Sequence, residues 1–264
     1  MSLAYERAGS GPPLVLIHGL GHHRQGWGAV LDRLTPHRDV ITLDLPGHGE
    51  SPPLHADGQN AVAVMAQEIT GLLKSLDLDR PHVAGNSLGG ALALVLAATG
   101  QAASATALNP AGFPNHRYQM TYARAFFETA VWSAHVLRPA VPALSRSTIG
   151  RALLFGVVVA KPGRLSAEQA RDDMAGIAET KDAMRAVFGT FEPFTLTIPD
   201  DVPVTIAWGA KDRLLSPANA RVARQRLPQA RFIRLSSCGH VPMTDDPDLV
   251  AKVLLKGSSI ASMA

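Results

Sequence analysis

The 264-residue sequence contains a single cysteine, Cys238, so no disulfide can form within the chain. Charged residues make up only 18% of the sequence, and the formal net charge is a small +3. No basic stripe interleaved with aromatic residues occurs, so we expect no nucleic-acid partner. Hydrophobic residues make up 46% of the chain, which is typical of a globular protein and excludes a disordered one.

Long apolar runs are also missing. The N-terminal stretch from Met1 to Arg7 lacks the apolar segment of a signal peptide. The longest notable apolar run, from Ala152 to Ala160, is interrupted by Gly156 and is too short to span a bilayer. The sequence therefore predicts no membrane span and a cytoplasmic protein.

Strand and helix patterns alternate up to Asn109 and resume at Val202, which predicts an α/β fold with a mostly parallel, doubly wound sheet. Between these parts the chain favours helices only, and it holds seven of the eight phenylalanines. We predict a core of residues 1–111 and 199–264, with residues 112–198 inserted as a helical cap, here called the cap segment. The small, polar tail from Gly257 to Ala264 predicts a frayed end.

The stretch Val83-Ala84-Gly85-Asn86-Ser87-Leu88-Gly89-Gly90 organises the chain. An apolar run enters it and an Ala/Leu run leaves it, so the pattern predicts a strand, a sharp turn and a helix. Side chains at Gly85 and Gly89 would collide at so tight a turn, which explains the two glycines. Ser87 would then present its hydroxyl at a helix N-terminus, where backbone N–H groups can stabilise an oxyanion.

This stretch resembles the nucleophile elbow of the α/β-hydrolase family, in its serine-nucleophile branch of esterases and lipases with a helical cap. The resemblance implies that Ser87 is the nucleophile and that the oxyanion hole consists of the backbone N–H groups of Leu20 and Leu88. It also implies the chain order of serine, acid and histidine.

The resemblance implies that His240 is the base, because it follows the last predicted strand, whereas the other downstream histidines lie in the cap segment. Asp212 follows the preceding strand and is the candidate acid. Some relatives carry their acid where this chain has Asn109, which cannot hold a negative charge. Asp245 and Asp246 follow the histidine too closely and are interpreted as capping residues.

The remaining candidate groups favour structural roles. His18 is expected to brace the loop after the first buried strand. For His22 and His23 two interpretations stay open: exposure to solvent, which we favour, and contact with the pocket. Two adjacent histidines do not make a metal site, so we predict no metal and no cofactor. Cys238 is predicted to be a buried, inert thiol, since Ser87 already occupies the elbow.

These features predict a serine hydrolase that cleaves a small-molecule carboxylic ester with an apolar acyl or alcohol group through an acyl-enzyme. Phe126, Phe188 and Trp132 of the cap segment are candidate pocket residues. Two alternatives stay open. One is a C–C bond hydrolase or acyltransferase that uses the same triad, and the other is a hydrolase-like small-molecule receptor with little turnover.

Overall fold

A computed structural model describes residues 2–259 and contains a seven-stranded sheet in the order β1-β3-β2-β4-β5-β6-β7. The strands are β1 (Tyr5–Gly9), β2 (Pro13–Ile17), β3 (Asp39–Leu43), β4 (His82–Asn86), β5 (Ser104–Leu108), β6 (Val204–Gly209) and β7 (Arg231–Leu235). The edge strand β1 runs antiparallel to β3, and all the other pairs are parallel. The predicted mostly parallel sheet is therefore confirmed.

Helices follow most of the strands. They are α1 (Gly28–Leu34), α2 (Ala61–Ser75), α3 (Leu88–Ala98), α4 (Gln119–Val136), α5 (Val141–Leu144), α6 (Thr148–Phe155), α7 (Ala167–Glu179), α8 (Lys181–Gly189), α9 (Asn219–Arg226), α10 (Pro242–Asp245) and α11 (Pro247–Gly257). Between β5 and β6 the described chain forms α4 to α8 and no strand. The boundaries of the cap segment remain a prediction.

The sheet is covered on both faces because successive residues of a strand point in opposite directions. In β2, Leu14 and Leu16 pack with the apolar faces of α1 and α11. Val15 and Ile17 belong to the opposite core layer, with the apolar residues of α2 and α3. Burial on both faces explains why the central strands are continuous apolar runs.

One local expectation, about the C-terminal tail, is wrong. The tail does not fray at Gly257, which ends α11, and Ser258 is buried and accepts a hydrogen bond from Nε of Arg38 at 2.9 Å. The last part of the predicted frayed tail, residues 260–264, lies outside the described residues.

Candidate active site

Ser87 lies between β4 and α3 in a backbone conformation that L-residues rarely adopt, with φ of +56° and ψ of −115°. A Cβ atom on Gly85 would overlap the carbonyl oxygen of Gly89. A Cβ atom on Gly89 would overlap the carbonyl oxygen of Ile17 in β2, so the second glycine is required by the neighbouring strand. The strained conformation of Ser87 is held by these close approaches and by its amide, which donates to Leu108 O at 2.9 Å.

His240 and Asp212 meet at the carboxyl ends of β7 and β6. Nδ1 of His240 donates to Oδ2 of Asp212 at 2.8 Å, and both side chains are buried. The other carboxylate oxygen of Asp212 accepts the amides of Leu214 and Leu215 at 2.9 and 2.8 Å. These bonds fix the carboxylate, which in turn orients the imidazole ring. Nε2 of His240 is then the ring nitrogen left free to accept a proton.

Two asparagines hold the backbone of the candidate base, and sequence reasoning did not find this arrangement. Nδ2 of Asn86 and Nδ2 of Asn109 each donate to the carbonyl oxygen of His240 at 2.9 Å. Asn109 also donates to Gly239 O at 3.1 Å and accepts the amide of Gly209 at 2.6 Å. Asn109, which stands where some relatives carry their acid, thus has both its amide nitrogen and its amide oxygen in hydrogen bonds.

Asp245 has a different role from the predicted helix cap. Its buried carboxylate accepts the amides of Gly239 at 2.6 Å, Ala160 at 3.1 Å and Lys161 at 2.6 Å. It therefore connects the loop that carries His240 to the cap segment. Asp246 does cap a helix, because it accepts the amide of Leu249 at the start of α11.

The candidate oxyanion donors come from two separate segments of the chain. Leu88 opens α3, and Leu20 lies in the β2 loop (residues 18–23). Across residues 2–259, neither amide donates to a protein acceptor. Both N–H groups are therefore available for a substrate oxygen.

Two neutral histidines brace the β2 loop. Nε2 of His18 accepts the amide of Leu45 at 2.9 Å, and Nε2 of His48 accepts the amide of Gly21 at 3.2 Å. Burial lowers the pKa of His18 well below its ordinary value and lowers the pKa of His48 to about 4. Both rings stay neutral at physiological pH, which the accepting role of Nε2 requires, and the expected bracing role of His18 is confirmed.

Two cavities meet at Ser87. The first has a volume of about 280 Å³ and includes Leu88, Phe113 and Phe188. The second has a volume of about 310 Å³ and includes Phe126 and His240. Ser87, Leu20 and Phe127 line both cavities. The candidate nucleophile is thus accessible from two mainly apolar spaces under the cap segment.

Trp132 was predicted to line the pocket, and this prediction is wrong. Its side chain is 64% exposed and lines neither cavity. Within α4 the buried residues Ala123, Val131 and Ala134 lie on one face, and Trp132 lies off that face.

The favoured interpretation of His22 and His23 as solvent-exposed is wrong, because both are largely buried against Asp173 of α7, with side-chain exposures of 15% and 13%. His22 lines the second cavity, in agreement with the alternative interpretation. Nδ1 of His23 donates to Oε1 of Gln25 at 2.8 Å. Burial lowers the pKa of His23, but the contact with Asp173 and its charge raise it by more, so the net shift is upward. Burial raises the pKa of Asp173, but the neighbouring histidines outweigh it and bring the value to about 2. Asp173 is therefore ionised.

Cys238 is fully buried, as predicted, and burial raises the pKa of its thiol to about 11. Since the thiolate is the nucleophilic form, this side chain is inert near neutral pH. The thiol thus offers no competing nucleophile beside His240.

The fold agrees with the comparisons with known proteins. The model of the α/β hydrolase fold family matches residues 12–247, and the chain belongs to this family. An uncharacterized protein of Mycobacterium tuberculosis is 30% identical over 258 residues, covering 92% of this chain and 74% of that protein. The predicted fold and family are thereby confirmed.

Named relatives indicate the kind of chemistry. Lipase 3 of Moraxella sp. is 27% identical over 246 residues, covering 89% of this chain and 74% of the lipase. The crystal structure of a membrane phospholipase A, described as a bacterial virulence factor, superposes with a TM-score of 0.75 at 26% identity, covering 97% of this chain and 83% of that one. The protein is an α/β-hydrolase enzyme whose relatives include ester hydrolases. No helix within residues 2–259 is long and apolar enough to cross a membrane.

Proposed function

We propose that the protein hydrolyses carboxylic esters through an acyl-enzyme formed on Ser87. As the Oγ atom of Ser87 attacks the ester carbonyl carbon, His240 takes the hydroxyl proton and Asp212 stabilises the resulting imidazolium. The N–H groups of Leu20 and Leu88 stabilise the negative oxygen. The leaving alcohol receives the proton from His240, and a water molecule, deprotonated by His240, then releases the acid. The observation that carries this proposal is the position of Ser87 where two cavities meet, with His240 bound to Asp212 at 2.8 Å.

The two cavities suggest how an ester lies in the site. The leaving oxygen must come within hydrogen-bond reach of the imidazole that protonates it. His240 lines the second cavity, and Leu88 lines the first. We therefore assign the alcohol portion to the second cavity and the acyl group to the first. The apolar linings of both cavities favour hydrophobic groups on both sides of the ester.

A fluorophosphonate probe tests the nucleophile. The probe should label Ser87 in the intact protein, and mass spectrometry of the digested adduct should locate the label there. Ser87→Ala should fold normally, stay unlabelled and lose hydrolysis of activated esters. A label on another residue, or no label on the folded wild type, would refute the assignment. Labelling of Ser87 without ester turnover would favour the receptor alternative.

A further inference from the structure

The second cavity contains a charged group that the proposed reaction does not use. Most of its lining is apolar, and its members from α6 and α7 include Leu154 and Met174. Asp173 and His22 also line it. Asp173 is only 5% exposed, so an ionised carboxylate lies at the wall of a mainly hydrophobic space. Such a charge is costly to bury, and it needs hydrogen-bond donors around it.

The protein itself does not fully supply those donors. Nε2 of His22 and Nε2 of His23 approach Oδ1 of Asp173 at 3.4 and 3.2 Å. Neither contact has hydrogen-bond geometry, and within the described part of the chain neither oxygen of Asp173 accepts a hydrogen bond. Oδ1 is fully enclosed, so the oxygen that a ligand in the cavity can reach is Oδ2. A carboxylate offers about four acceptor positions over its two oxygens. Acceptor capacity therefore remains on Asp173 at the cavity wall.

His23 offsets the charge of Asp173. Gln25 accepts from Nδ1 of His23 and donates its own amide to Glu6 at 3.2 Å, which fixes the orientation of the amide and leaves a proton on Nδ1. Nε2 of the same ring lies 3.2 Å from the ionised carboxylate, a contact that raises the pKa of His23 and favours a second proton on Nε2. A cationic ligand would therefore meet a carboxylate that is already compensated. A neutral donor, such as a hydroxyl group, fits the remaining acceptor positions without adding charge to the cavity.

We propose that Asp173, beside His22, determines specificity by accepting a hydrogen bond from a hydroxyl group on the alcohol portion of the ester. The substrate class is then the monoesters of diols or polyols, with an apolar acyl chain in the first cavity. This inference rests on the proposed function, because it requires the leaving alcohol to occupy the cavity that His240 lines. Asp173 acts on a part of the substrate away from the reacting carbonyl.

Paired substrates test the inference. Octanoate esters of ω-hydroxyalkyl alcohols of increasing length are compared with their ω-methoxyalkyl counterparts, which have similar reach but no donor. Wild type should prefer the hydroxy ester in kcat/KM by about 10- to 100-fold at the length that reaches Asp173, as expected for a hydrogen bond to a charged acceptor. In Asp173→Asn the preference should fall by about 10-fold, because the acceptor loses its charge. Asp172→Asn, an exposed change on the same helix, should keep the wild-type ratio.

The ratio separates recognition from a structural role. If Asp173→Asn lowered kcat/KM for both ester series in parallel, Asp173 would only hold α7 against the β2 loop, and the inference would be wrong. An absent preference in wild type at every length would overturn it without any variant. Hydrolysis of simple alkyl octanoates distinguishes the two proposals: if they are cleaved and the hydroxyl has no effect, only this inference fails. If no ester is cleaved and Ser87 is not labelled, the proposed function fails and the inference fails with it.

Discussion

At the residue scale, Asp212 is the acceptor that orients His240. Asp212→Asn should keep the fold but lower kcat by about 10³- to 10⁴-fold, because the amide lacks the charge that stabilises the imidazolium and permits the wrong tautomer. Asp245 cannot compensate, since three backbone amides already occupy its carboxylate. Steady-state hydrolysis of an activated ester measures the effect.

Asp200→Asn serves as the control for that substitution, because Asp200 is exposed and lies outside both cavities. It should leave kcat unchanged. Near-normal kcat in Asp212→Asn, together with an inactive His240→Ala, would show that another carboxylate orients the base.

Asn109 provides a second residue-scale prediction. Asn109→Asp should not restore activity to Asp212→Asn, because the side chain points its Nδ2 at the carbonyl oxygens of Gly239 and His240. A carboxylate there would face two acceptors in a fully buried place, so the single variant should lose about 3 kcal/mol of unfolding free energy. Urea denaturation measures the loss, and the exposed Asn115→Asp should show almost none. Recovered kcat in the double variant would mean that a carboxylate at 109 reaches His240.

At the scale of elements, α4 and α8 contribute to different cavities. Phe126 of α4 lines the second cavity, and Phe188 of α8 lines the first. Phe188→Ala should change the dependence of kcat/KM on acyl chain length, whereas Phe126→Ala should change the dependence on alcohol chain length. Loss of the contact with one methylene group of the substrate should weaken transition-state binding by about 1–3 kcal/mol at most.

Two ester series measure this division, one with the alcohol held constant and one with the acyl group held constant. Trp132→Ala is the matched aromatic truncation in α4 and should leave both profiles unchanged, since Trp132 lines neither cavity. If Phe188→Ala changed only the alcohol profile, the assignment of the acyl group to the first cavity would be reversed.

At the scale of the whole molecule, stability should depend on pH through His48. Its pKa is about 4 in the folded protein, whereas an unfolded histidine titrates near 6.5. Below about pH 6.5 the unfolded chain binds a proton that the folded protein does not, so the free energy of unfolding falls as the pH drops toward 4. The full effect of this group is about 3 kcal/mol.

His48→Gln tests this dependence, because a glutamine oxygen can accept the amide of Gly21 without titrating. Between pH 7 and 4 the variant should lose about 3 kcal/mol less unfolding free energy than wild type, measured by urea denaturation at each pH. His55→Gln makes the same change at an exposed position and should keep the wild-type slope. Equal slopes in His48→Gln and wild type would show that His48 does not contribute to acid sensitivity.

The sequence by itself determined the order of strands and helices in the core and the place of Ser87. These features depend on neighbours in the chain: an apolar run, glycines whose absent side chains allow a tight turn, and an apolar helix. The sequence also predicted that Asp212 and His240 lie near one another, because both follow parallel strands and the carboxyl ends of such strands meet at one edge of the sheet.

The tertiary structure alone decided which groups pair across long stretches of chain. Trp132 points outward because the packing of α4 selects another face, and local periodicity does not show which face a neighbour will cover. His22 and His23 are buried because Asp173 comes from α7, and Asp245 is buried because the cap segment supplies two of its amide donors. Buried polar groups take the partners that the packed fold brings within reach, and those partners are not neighbours in the sequence.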